Sequence, residues 1–122
     1  MFEENSLIGK ISRGDYPKKT VKTKYGTFTM RFCSGKDKTV ITRKLSLKLG
    51  GVPVDSIPGE FYGRALRDVT LSVAIVDYPT DFPDEFKRDD IEDFPDEEVK
   101  NRLFKLFSTF SSDTQDTISR EP

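Results

Sequence analysis

The stretch "SIPGEFYGRALRDVTLSVAIVDY", residues 56–78, decides the fold, because its period sets what the rest of the chain packs against. Phe61 or Tyr62, Ala65, Leu66, Val69, Val73 and Val76 recur at helical spacing. Ser56 stands where an N-cap belongs, and Pro58 falls in the first turn, where a missing N–H is tolerated. The spacing predicts a helix over about 57–77, apolar on most sides and therefore the most buried element. A second period is present: Val69, Leu71, Val73 and Ile75 alternate, so a strand over 69–76 stays open as the alternative.

Upstream, "TVKTKYGTFTMRF" (20–32) places Val21, then Phe28, Met30 and Phe32, in alternation with polar residues around Tyr25-Gly26. This predicts a β-hairpin over about 20–33, with the glycine supplying a positive φ. In "TVITRKLSLKLGG" (39–51), Leu45, Leu47 and Leu49 alternate like a strand, while Ile41, Leu45, Lys48 and Leu49 fit one helical face. We read a helix over about 37–49, with Asp37 near its positive end and Gly50-Gly51 at its C-cap; a strand over 39–49 is the alternative. Residues 1–19 hold no sustained period and carry Gly9, Gly14 and Pro17, which predicts an extended arm. Residues 113–122 are small and polar and are expected to form a flexible tail.

Downstream, "DYPTDFPDEFKRDDIEDFPDEE" (77–98) contains eleven carboxylates and says "DFPDE" twice. In the second copy Asp93 is the expected N-cap, Pro95 lies in the first turn, and Asp96, Glu97 and Glu98 face the positive end of the dipole. Val99, Leu103, Leu106, Phe107 and Phe110 follow on one stripe, predicting a helix over about 94–110 in which Glu98 pairs with Arg102 four residues on. The first copy starts a single turn in the same way. As a calcium loop the run fails, because it has no glycine for the sharp turn and sets Pro and Phe among the ligands.

Four large apolar residues of this acidic run, Phe82, Phe86, Ile91 and Phe94, require a packing partner. Either they pin the loop onto the central helix, or they dock on another subunit or partner. With Tyr78, Phe104 and Phe110 they are the candidate protein-interaction residues.

The composition bounds the function class. A chain of 122 residues, 34% hydrophobic and 34% charged, suits one modest core, expected over residues 20–112. There is no histidine, no Trp and a single cysteine, Cys33, and neither Gly-x-Ser-x-Gly nor HExxH occurs. Nothing singles out two of the 21 acids as a catalytic pair, so no enzyme, metal or cofactor is expected. "SGKDKT" (34–39) lacks the glycine pattern of a phosphate loop and reads as a turn. Lys18, Lys19, Lys22 and Lys24 beside Tyr16, Tyr25, Phe28 and Phe32 would suit single-stranded nucleic acid. With a net charge of −1, a strand edge protected by lysines is the favoured reading.

No apolar run approaches the roughly 18 residues of a membrane helix, and no secretory leader is recognised, so a cytosolic protein is expected. Residues 1–50 hold 12 Lys/Arg against 4 Asp/Glu and residues 51–122 hold 8 against 17, making the halves +8 and −9. Such segregation favours either an intramolecular clasp or head-to-tail self-association into a homo-oligomer.

The order of these features resembles the small tail assembly chaperones of tailed bacteriophages and related small virion proteins. The likeness lies in the hairpin "VKTKYGTFTMRF", the charged helix ending in "LGGVPVDSIP", the central "ALRDVTLSVAIVDYPTDF", and the aromatic last helix "DEEVKNRLFKLFSTF". It implies a non-enzymatic protein of the host cell cytoplasm that binds tape-measure and tail-tube subunits during assembly and needs no cofactor. A structural protein of the virion neck, tail or baseplate is the alternative, and a small acidic inhibitor of a host enzyme the second. The expected architecture is α+β: an arm and a hairpin followed by about three helices.

Overall fold

In the computed structural model, which describes residues 6–121, the chain is α+β. A three-stranded antiparallel sheet of order β1-β2-β3 (Lys18–Thr23, Gly26–Arg31, Ile75–Asp77) is joined by four helices, α1 (Leu7–Ser12), α2 (Gly35–Lys48), α3 (Gly59–Ala74) and α4 (Glu97–Arg120). Short 3-10 segments lie at Val54–Ser56, Asp84–Phe86 and Arg88–Asp93.

The hairpin forms as expected. Val21 pairs with Phe28 and Lys19 with Met30, and Val21, Phe28, Met30 and Phe32 are all buried. The turn falls at Lys24-Tyr25, and Gly26 takes a φ of 117°, which side-chain-bearing residues rarely adopt. A Cβ there would sit 2.8 Å from that of Pro79, so the glycine also admits the returning chain.

α2 is a helix, not a strand. Ser34 caps it and the Asp37 carboxylate reaches back to the Ser34 amide, completing a capping box. At its other end Gly50 and Gly51 have φ of 65° and 73°, and their amides donate to Leu47 and Ser46, closing a Schellman turn.

The central segment combines the two readings left open for it. The helix expected over 57–77 runs as α3 from Gly59 to Ala74, and then Ile75–Asp77 leaves it to pair with Met30 and Thr29 as β3. Ile75 and Val76 are β-branched, and Tyr78 precedes a proline, so continuing the helix is disfavoured where a strand partner is available. Pro58, not Ser56, occupies the N-cap position, because Ser56 is used in the preceding 3-10 turn. The buried face also differs from the expected one: Ala65, Val69, Leu71 and Ala74 are buried, Leu66 and Val73 half-buried, and Val76 exposed.

Four further expectations are corrected. The extended arm of residues 1–19 contains α1 and begins β1 at Lys18; residues 1–5 lie outside the described part of the chain. The tail of 113–122 is helical as far as Arg120, because Phe107, Ser111, Thr114 and Ile118 continue one face with small residues that gave no apolar signal. These ends meet: the Glu121 carboxylate accepts from the amides of Leu7 and Ile8, at 3.0 and 3.2 Å. Finally, Asp96 and not Asp93 caps α4, accepting from the Val99 amide at 3.1 Å, while Asp93 ends a 3-10 segment. Arg102 donates to the Lys22 carbonyl at 2.9 Å, tying α4 to β1, and not to Glu98 as expected.

One core cluster joins the sheet to α3, α4 and the acidic loop, through Phe28, Met30, Leu71, Ala74, Phe82, Ile91, Phe94, Leu103 and Phe107. Among the described residues no helix is long and apolar enough to cross a membrane.

Candidate functional site

The candidate interaction residues of the acidic loop turn inward. Phe82, Ile91 and Phe94 are buried, and Tyr78, Phe86 and Phe104 pack half-buried against the same cluster, with Phe110 half-buried on α4. Phe82 lies 4.9 Å from the Phe94 ring and 5.3 Å from both Phe28 and Tyr78; Phe86 lies 5.5 Å from Phe94. The Tyr78 hydroxyl accepts from the amide of Arg88, which has a φ of 58°, and so fixes the bend of the loop. Burial raises the pKa of that hydroxyl. Phe82, Ile91 and Phe94 therefore pin the loop to the core, with Phe86 the most peripheral of the ring contacts.

The charge segregation is used in part within the chain. Lys24 pairs with Asp96 at 2.9 Å, Lys44 with Asp89 at 2.6 Å, and Lys48 with Glu92, each joining the basic half to the acidic half. Hydrogen bonds from the Tyr25 hydroxyl and from Lys24 and the Val99 amide hold the Asp96 carboxyl down to about 2.

Behind these pairs lies an ionic cluster that sequence reasoning missed. Arg67 on α3 donates to Asp68 at 2.8 Å and Asn101 at 2.9 Å and pairs with Glu97 at 2.6 Å. Lys100 on α4, fully buried, donates to the Glu92 carbonyl at 3.1 Å and lies 3.6 Å from Asp68 and 3.7 Å from Glu97. Burial opposes the charge on Arg67, but hydrogen bonding and attraction from Asp68 and Glu97 outweigh it and raise its pKa. Two cations and two carboxylates thus lock α3 to α4 and to the 3-10 segment Arg88–Asp93. The sequence signal was their place: Arg67 and Asp68 stand between Leu66 and Val69, within the stretch of α3 that is buried.

In front of this rigid base α2 sits on α3 with no fully buried residue of its own. Ile41, Leu45, Leu49, Val52, Tyr62 and Leu66 line an open depression of about 300 Å³ on one side of the helix pair. On the other side Leu49, Phe61 and Ala65 line a second depression, with Arg64, Arg67 and Glu97 at its polar wall. The two meet at the C-terminal turn of α2. Around that turn three large apolar side chains project outward: Leu47 is 77% exposed, Phe61 63% and Val52 48%. The spacing held a signal for Leu47, since a helix turning Ile41, Leu45 and Leu49 inward leaves it outside. Along the same helix Lys36, Lys38, Arg43, Lys44 and Lys48 stand against one acid, Asp37, and the first three carry no ion pair among the described residues.

Cys33 is buried, and burial foremost pushes its thiol up to about 11, so it is protonated and unreactive at neutral pH. Among the described residues no group of three or more His, Cys, Asp or Glu is placed to hold a metal ion. Comparison of the chain with protein-family models, with curated proteins and with solved structures gives no match.

Proposed function

We propose that this protein acts by protein contact, without catalysis or cofactor, and that the face formed by α2 and α3 is where its partner docks. The observation that carries this is the outward projection of Leu47, Phe61 and Val52 around the C-terminal turn of α2, where Val52 lines the first depression, Phe61 the second, and Leu47 a third beside Lys44, Lys48 and Val69. Side chains of this size add little to the monomer when left in water, whereas buried at an interface they are the anchors on which affinity concentrates. The ionic cluster beneath supplies a base that does not rearrange, and the unpaired cations of α2 favour a partner carrying acids beside its apolar contact.

Taken with the ordering of hairpin and helices, this face supports a tail assembly chaperone that binds tape-measure and tail-tube proteins in the host cytoplasm. The test is quantitative mass spectrometry of infected cells and of purified particles. The proposal expects the protein with its partners in the cell and its absence from the particle. Stoichiometric retention in particles would instead make it a structural component of neck, tail or baseplate.

A further inference from the structure

The hairpin leaves one sheet edge open. Phe32 donates to the Pro17 carbonyl across β1 and β2, so Lys19, Val21 and Thr23 face β2 with their backbone groups, and Lys18, Thr20 and Lys22 turn theirs to the outer edge. The Arg102 bond to the Lys22 carbonyl confirms that parity and closes that one position. Among the described residues nothing bonds to the outward amides of Lys18 and Thr20, and both residues are exposed. Their side chains, with Lys22, share the face of the sheet away from the core, where Lys18 stands opposite Arg31.

We propose that the free edge of β1 accepts an extended, acidic segment of a partner protein as a fourth strand. Main-chain hydrogen bonds would supply affinity, and the lysines specificity. A second copy does not fit, since β1 against β1 sets Lys beside Lys. The chain's own acidic run is excluded as well, because Phe82, Ile91 and Phe94 hold it in the core. A strand with Glu or Asp opposite Lys18 and Lys22 and a small polar residue opposite Thr20 meets each position. This surface is separate from the α2–α3 face and does not depend on what docks there.

The probe is a capped peptide alternating Glu with Thr and Val, compared with the same peptide carrying Lys for Glu, in an amide-resolved NMR titration with hydrogen exchange. The acidic peptide is expected to bind saturably, slow exchange of the Thr20 amide at least about tenfold, and weaken about tenfold as salt shortens the screening length from ~10 Å to ~4 Å. Thr20→Pro removes only the outward amide, which an edge strand tolerates, and should abolish binding while the Phe28 and Met30 resonances stay in place. Should that variant unfold, Lys18→Glu with Lys22→Glu carries the test by reversing the preference toward the Lys peptide. Binding without Thr20 protection, equal binding of both peptides, or no binding overturns the proposal. An oligothymidylate that binds the same lysines while the acidic peptide does not would also overturn it, in favour of a nucleic-acid strip.

Discussion

Replacing Phe82 with Ala removes a ring that is 4% exposed and contacts Phe28, Tyr78 and Phe94 at 4.9 to 5.3 Å. Truncating a buried Phe costs about 3–5 kcal/mol, combining lost transfer energy with the cavity left behind. A chain of this size holds roughly 5–15 kcal/mol in total, so the variant should lose about a fifth or more of its stability and about 10–20 °C in Tm. Phe86→Ala removes a half-buried ring with one aromatic neighbour, and should cost about 1–2 kcal/mol. Urea unfolding followed by circular dichroism separates the two, with an unchanged slope showing that only stability has moved. A loss below about 1 kcal/mol for Phe82→Ala, or equal losses for the two variants, would refute the inward packing of the acidic loop.

Lys100→Met strands the Glu92 carbonyl and takes one cation from Asp68 and Glu97, and should cost about 3 kcal/mol, whereas exposed Lys105→Met should stay within ~0.5 kcal/mol. Gly26→Ala meets both a φ of 117° and the Pro79 Cβ, and should destabilise by about 1–3 kcal/mol; Gly63→Ala, exposed within α3 and with open space around its Cβ, should instead stabilise by roughly 0.5–1 kcal/mol in the same denaturation assay. The Asp96 carboxyl is held at about 2 against an ordinary 3.8. A depressed pKa means its contribution is complete above that ordinary value and is lost as pH falls from 3.8 toward about 2, so Asp96→Asn should flatten the acid limb of the stability curve in that window.

The hairpin of Val21, Phe28 and Met30 was legible because its alternation and its turn glycine agree; α2 was legible through Asp37 and its Gly50-Gly51 end, whereas its period also fitted a strand and its Ser34 cap was read as part of a turn. The central segment was ambiguous because both periods are present there; the helical reading holds as far as Ala74, and of the strand reading over 69–76 only Ile75 and Val76 lie in β3. The last turns of α4 were illegible, because Ser111 and Thr114 pack where an apolar residue would have announced the face. At the candidate site the sequence left two readings open for the large apolar residues among the acids, and Phe82, Ile91 and Phe94 take the local one, closing the core. Of the residues that do project, Phe61 lies at the start of an apolar-periodic helix that invites assignment to the interior, Leu47 alternates with Leu45 and Leu49 as it would in a strand, and Val52 lies in a loop without a period.

The central claim, that the α2–α3 face docks a protein, is tested most directly with the double variant Leu47→Asp/Phe61→Asp, co-expressed with the tape-measure and tail-tube proteins that the proposal names as its partners. Both side chains lie mostly in water, so its urea midpoint should match the original within about 0.5 kcal/mol. The original chain is expected to co-purify with one of these proteins in fixed stoichiometry, and the variant to lose it. Equal retention by the variant, or no complex with the original, would contradict the account.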